Sequence, residues 1–221
     1  MKIGLIGAGF IGRALAALAV KAGHDVMISN SRHPRTLGST AVALGCRIGT
    51  AQEAAAFGDV VMVAIPLYAY RDVPAAPLQG KVVIDANNYY PQRDGAIEAL
   101  DTHVSTTSEL LQQHLRGAKV VKAFNAILQG DLQKDGRPPA MPGRRALPIA
   151  GDDAAAKQLV TGLLDEFGFD AVDAGALANG WRFERAKPAY CVALDRPALQ
   201  RALESAERTV ELPHGSWRTA N

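Results

Sequence analysis

The chain has 221 residues, 48% hydrophobic and 21% charged, a balance that suits a globular protein with a substantial core. A formal net charge of +2 offers no electrostatic footprint for nucleic acid or for a membrane surface, so neither is expected as a partner. No apolar run approaches the ~20 residues that cross a bilayer, no cleavable leader precedes the first strand, and the two cysteines lack metal spacing; a cytoplasmic protein without a metal is expected.

The opening residues form an apolar strand that runs straight into Gly7-Ala8-Gly9-Phe10-Ile11-Gly12, and an Ala/Leu-rich helix follows from Arg13 to Ala22. Gly7 suits the tight turn, Gly9 lets a pyrophosphate approach the backbone, and Gly12 lets the helix lie close on the strand. Free N–H groups and the helix dipole would then hold phosphate charge. A second strand runs from Val26 to Ser29, and His33-Pro34 opens a helix that ends near Gly45. A short strand is expected around Cys46 to Gly49. Thr50 and Glu53 have the spacing of a capping box at the start of the next helix.

Asp59 to Ile65 is an almost uninterrupted apolar run, as in strands buried on both faces of a parallel sheet. Further strands are expected at Lys81–Asp85 and Lys119–Phe124, with a helix from Ser108 to Leu115 between them. Asn125 to Arg145 is dominated by Gly, Pro and Arg and reads as a long surface loop. Ala146–Gly151, Asp153–Phe167 and Asp170–Ala174 form a final strand-helix-strand unit. The remainder is mostly helical in composition, interrupted at Pro188, Pro197 and Pro213. The alternation argues for an α/β fold with a doubly wound parallel sheet over residues 1–175. A short, mainly helical C-terminal segment, 176–221, would pack on the sheet or on a partner subunit, which leaves room for a homodimer.

An NAD site normally carries Asp or Glu about 20 residues beyond the glycines. This chain has Asn30, Ser31 and Arg32 there, with His33 next to them, groups that can bond a 2′-phosphate where a carboxylate would repel it. NADP is therefore the expected dinucleotide. Its nicotinamide should lie where three strand ends meet: Ala64-Ile65-Pro66-Leu67, Ala86-Asn87-Asn88-Tyr89-Tyr90-Pro91 and Lys122 to Asn125. Amide and phenol groups there could meet a carboxamide and a substrate. His24 and His214 read as turn residues and His114 as a helix-surface residue, while His103 lies in a polar connection. No Ser-Tyr-x-x-x-Lys set and no His/Asp pair stands at these strand ends, so no catalytic residue is assigned. An acceptor that takes hydride unaided, such as a deazaflavin, flavin or quinone, suits such a site better than a simple ketone, although Tyr89, Tyr90 or a water could supply a proton.

The glycine turn, Asn30-Ser31-Arg32, Val121-Lys122-Ala123-Phe124-Asn125, Gly151-Asp152-Asp153 and Val172 to Leu177 occur in an order and spacing that resemble the NADP oxidoreductases related to NADPH-dependent coenzyme F420 reductase. The resemblance runs to about Leu194 and implies a Rossmann domain. It implies that Gly7, Gly9, Phe10, Ile11, Gly12, Asn30, Ser31, Arg32, Ala64, Ile65 and Pro66 bind NADP; Ala8 within the same turn and Asn87 at the strand ends are expected to join them. It also implies hydride transfer to a small planar acceptor, coenzyme F420 or a flavin. Asn88, Tyr89 and Asn125 are expected at the substrate from their place at the strand ends, and Trp181 either walls a planar acceptor there or packs the tail against the sheet. Phe124-Asn125-Ala126-Ile127 departs from the His-Thr-Ile-Pro of the archaeal deazaflavin enzymes and leaves the acceptor, a carbonyl included, open. The competing expectations are a non-enzymatic NADP sensor and an imine or hydroxyacid reductase. The hydroxyacid branch needs Lys and Asn one helical turn apart, and here Lys187 is followed by Pro188 and Cys191.

Overall fold

A computed structural model describes residues 1–213 and 215–216, so the reading of His214 lies outside the described residues. Eight strands make one sheet: β1 (Lys2–Ile6), β2 (Asp25–Ser29), β3 (Arg47–Gly49), β4 (Val60–Val63), β5 (Val82–Asp85), β6 (Lys119–Lys122), β7 (Ala146–Gly151) and β8 (Asp170–Asp173). Their spatial order is β3-β2-β1-β4-β5-β6-β7-β8. The chain therefore reverses its direction of travel between β1 and β4, which opens a crevice at their carboxyl ends. Every residue of β4 is buried, because helices cover both faces of a parallel sheet.

α1 (Phe10–Lys21) follows the glycine turn, and α2 (Gly38–Leu44) ends on Gly45 in the left-handed conformation. α3 (Ala51–Phe57) carries the expected capping box: Thr50 Oγ1 accepts from the Glu53 N–H at 3.2 Å, and Glu53 accepts from the Thr50 N–H at 2.7 Å. After β5 come the short helices α4 (Pro91–Asp94) and α5 (Glu98–Asp101), then α6 (Thr107–His114), which has a second capping box on Thr106 and Glu109. α7 (Gln129–Lys134), α8 (Ala154–Glu166) and α9 (Arg196–Glu204) complete the α-helices among the described residues. Leu15, Ala16 and Ala19 of α1 share one core with Leu132 of α7 and with Val160, Leu163 and Leu164 of α8. Ala55 of α3 and Leu111 of α6 belong to the core on the opposite face of the sheet.

Three expectations need correction. β7 runs antiparallel to β6, pairing only Val121 with Gly151 and Lys122 with Ala150. The single short helix of that connection docks on α1, so the crossover that a parallel neighbour requires does not form. The stretch from Asn125 to Arg145 is a surface loop only in part: residues 136–143 are exposed irregular chain, but the stretch also holds α7, and Ala126, Ile127, Leu132, Arg144 and Arg145 are buried. The arginines are tolerated inside because carboxylates meet them. Arg144 Nη1 donates to Asp165 and Asp170 at 2.7 and 2.8 Å, and Arg145 Nη1 donates to Asp131 and Asp135 at 3.0 and 2.6 Å. Finally, Pro197 starts a helix and does not interrupt one, because it sits in the first turn of α9 behind the Asp195 cap.

The C-terminal segment contains a 3-10 helix (Leu177–Phe183) and α9, joined by irregular chain. Phe183, Ala189, Tyr190, Leu199 and Leu203 pack with Val172 of β8 and Ala150 of β7. The 3-10 helix also lies over the carboxyl end of β6, where Gly180 meets the side chain of Lys122. Among the described residues no helix is long and apolar enough to cross a membrane.

Candidate active site

The glycine turn is shaped by what cannot fit and by what is left open. Gly7 has φ +111°, and a Cβ there would collide with the Ala64 carbonyl at the end of β4. A Cβ on Gly12 would collide with the Gly7 carbonyl, so helix and strand touch directly. A Cβ on Gly9 would meet nothing within 4 Å. Packing does not require that glycine, and the space over it is the cradle a pyrophosphate needs. Gly9 is also the N-cap of α1 and offers no side-chain cap, so the first-turn N–H groups remain for a ligand. Phe10 stands almost fully exposed beside them, Ile11 is half-buried, and the Ala8 carbonyl accepts from Arg13 Nε at 2.9 Å.

β2 ends at the Asn30-Ser31-Arg32 turn. Asn30 Oδ1 accepts from the Arg32 N–H at 3.1 Å and its amide donates to Thr36 at 3.0 Å, which fixes the turn. Ser31 and Arg32 are exposed, and Arg35 stands exposed on the next turn. The guanidinium of Arg32 has no ion-pair partner among the described residues.

The three strand ends converge as expected. The Ile65 N–H donates to Asn87 Oδ1 at 2.8 Å, and Pro66 then caps the 3-10 helix Leu67–Asp72. Asn88 Nδ2 donates to the Asn125 carbonyl at 2.9 Å, while Asn125 Nδ2 donates to Asn88 Oδ1 at 3.2 Å and to the Phe183 carbonyl at 2.9 Å. Phe124, just before it, takes a left-handed conformation at φ 63° that turns the chain out of β6.

Beneath this ledge lies a charged cluster that motif reading missed. Lys122 is fully buried, and its Nζ donates to Thr107 Oγ1 at 2.6 Å, to the Asn87 carbonyl at 3.2 Å and to Ser108 Oγ at 3.3 Å. Glu184 lies 3.5 Å from the ammonium and Asp85 3.9 Å. Asp85 accepts from Ser108 Oγ and from the Asn87 N–H. Burial raises the Asp85 pKa, against the opposing pull of Lys122 and these two bonds. Asp85 and Lys122 each close an apolar strand, but only the β5–β6 register, which sets them side by side, shows that they pair.

Beyond the ledge opens a cavity of about 220 Å³, with Tyr89, Trp181, His103, Glu184, Arg185 and Arg208 in its wall. Tyr89 donates to Asp101 at 2.8 Å. The Trp181 ring has the guanidinium of Arg182 at 4.6 Å and that of Arg208 at 5.8 Å. Asn88 and Asn125 belong to the ledge, and Tyr89 and Trp181 to the cavity wall. Tyr90 and Tyr190 hydroxyls lie 2.6 Å apart nearby, and burial raises the Tyr190 pKa. His24 pairs with Glu166 at 2.7 Å and His114 contacts the Val73 carbonyl, both away from this site. Among the described residues no group of three His, Cys, Asp or Glu could hold a metal ion.

Residues 2–89 match the family model of coenzyme F420-dependent NADP oxidoreductases. The protein SMa0349 of Sinorhizobium meliloti has the same fold with a TM-score of 0.75 and 31% identity, over 88% of this chain and 94% of that one. A protein of Arthrobacter sp. FB24 described as an F420-dependent NADP reductase gives a TM-score of 0.69 and 26% identity, over 80% of this chain and 85% of its own. YjhV of Escherichia coli K12 is 36% identical over 66 residues, 30% of this chain and 48% of YjhV, so the match spans about half the length of that curated relative.

Proposed function

Since the chain belongs to the coenzyme F420-dependent NADP oxidoreductase family, we propose that the crevice between β1 and β4 seats NADP(H) and that the adjoining cavity receives a small planar hydride acceptor. The observation that carries this reading is the open cradle over Gly9, between two glycines that backbone contacts demand. Gly9 and the first-turn N–H groups of α1 would hold the pyrophosphate, and Asn30, Ser31 and Arg32 the 2′-phosphate. Ala64, Ile65, Pro66 and Asn87 would flank the nicotinamide, whose chemistry is to give or take a hydride. Tyr89 and Trp181 wall the cavity and would stack on a planar acceptor, a deazaflavin or a flavin. Glu184, tied to Thr107 and Lys122, is one of three carboxylates in the same wall, with Asp101 and Glu211, and could exchange a proton with a carbonyl-type acceptor.

Lys187 does not supply a hydroxyacid dehydrogenase lysine. Its Nζ donates to the carbonyls of Glu207, Arg208 and Val210 at 2.9, 2.9 and 2.6 Å, which occupies all three donors. NADPH oxidation should be followed against deazaflavin, free flavin, quinone, ferric chelate and cyclic imine. Turnover with deazaflavin or flavin is expected. Turnover with the imine alone would overturn the planar-acceptor reading.

A further inference from the structure

Two buried amide atoms on the ledge have no partner: Nδ2 of Asn87 and Oδ1 of Asn125. The residues are 2% and 3% exposed, so bulk solvent does not reach them. Neither amide can be turned round to mend this. Asn87 must keep its oxygen on the Ile65 N–H, and Asn125 must keep its nitrogen on the Phe183 carbonyl. Asn88 is locked in the same way, because its Nδ2 faces the Asn125 carbonyl. Backbone groups therefore dictate that one strand end presents a spare donor and its neighbour a spare acceptor.

A ligand that answers both must offer a carbonyl oxygen and an N–H side by side, as a primary amide does. The imide edge of a flavin-like acceptor carries the same pair. Position favours the dinucleotide. Asn87 is bonded to the end of β4, and the carbonyl of Ala64 there lies against Gly7 of the cradle. We infer that Asn87 and Asn125 recognise the carboxamide of the nicotinamide, Asn87 donating to its oxygen and Asn125 accepting from its nitrogen. The pair fixes which edge of the ring enters and hence which ring face meets the cavity. Bonds to the carboxamide would satisfy both atoms, each of which otherwise costs the fold an unmet buried polar group.

The inference rests on the NADP reading, and calorimetric titration without any acceptor separates the two. The probes are NADP, its 3-acetylpyridine analogue, which keeps the carbonyl and lacks the N–H, and 2′-phospho-ADP-ribose, which lacks the ring. Wild-type protein should bind the acetylpyridine analogue roughly 10-fold more weakly than NADP. Asn125→Ala should bind the two equally. Asn87→Asp keeps an oxygen for Ile65 and puts a second carboxyl oxygen where the spare donor was; titrated with the reduced dinucleotides, whose ring carries no charge for the carboxyl to attract, it should weaken both roughly 10-fold and leave 2′-phospho-ADP-ribose unchanged. This second variant and the wild-type comparison stand even if loss of the Phe183 tie unfolds Asn125→Ala. Equal wild-type affinity for NADP and its analogue, with Asn87→Asp unaltered, overturns the inference and passes the pair to the acceptor's imide edge. Failure of both NADP and 2′-phospho-ADP-ribose to bind overturns the NADP reading itself.

Discussion

Lys122→Met probes the charged cluster beneath the ledge. The substitution keeps the length of the side chain but removes the ammonium that lies between two carboxylates, one of them fully buried. Asp85 would retain only the Ser108 hydroxyl and the Asn87 N–H. Removing one member of a buried ion pair costs about 3–5 kcal/mol, because the other charge is left uncompensated. At roughly 2–4 °C per kcal/mol for a chain of this size, Tm should fall by on the order of 10 °C. The loss should depend on pH. Asp85 binds its proton more tightly in the folded chain than an ordinary carboxyl does, and without Lys122 that preference grows. A carboxyl whose folded pKa is raised contributes stability below the unfolded value, about 4, and loses it as pH rises through the folded value. The deficit of the variant is therefore largest in alkaline solution and shrinks on acidification, when a proton replaces the ammonium. Urea unfolding at about pH 5.5 and about pH 8 measures it, and adding Asp85→Asn should restore most of the loss. Equal deficits at both pH values, or a deficit under about 1 kcal/mol, would refute the argument.

The glycine turn separates packing from binding. Gly12→Ala should destabilise the fold by about 3 kcal/mol, since its Cβ meets the Gly7 carbonyl, whereas Gly9→Ala should unfold like the wild type yet lose most of its NADPH affinity. Unchanged NADPH binding in Gly9→Ala would remove the cradle from the account. Arg32→Ala should weaken NADP roughly 10- to 100-fold and leave NAD nearly untouched, as titration of both would show. Equal losses would mean that the turn after β2 does not read the 2′-phosphate. Burial pushes the Cys191 thiol up to about 12, while Cys46 is half-buried and also raised. A disulfide reagent at mild alkaline pH should therefore find Cys46 first and Cys191 only after denaturation. Simultaneous reaction of both thiols would contradict that burial.

Where local chemistry decides the outcome, sequence and structure agree closely. Thr50 and Glu53 close their box because both partners lie within one turn. β4 is buried on both faces, as its continuous apolar run implies. Pairings between distant segments were harder to read. Arg144 and Arg145 look like surface residues until Asp131, Asp135, Asp165 and Asp170 are brought around them. Glu184 carries no motif, yet it completes the Lys122 cluster from 62 residues further along the chain.

The sequence by itself determined the strand-helix alternation, the glycine turn with its basic neighbour, and the three segments that meet at the strand ends, because propensity, periodicity and capping act within a few residues. Only the tertiary structure decided the antiparallel β7, the charges under the ledge, the cavity wall and the two spare amide atoms. Those depend on sheet register and on which carbonyl reaches which amide, and such contacts join residues far apart in the chain whose identities alone carry no trace of the pairing.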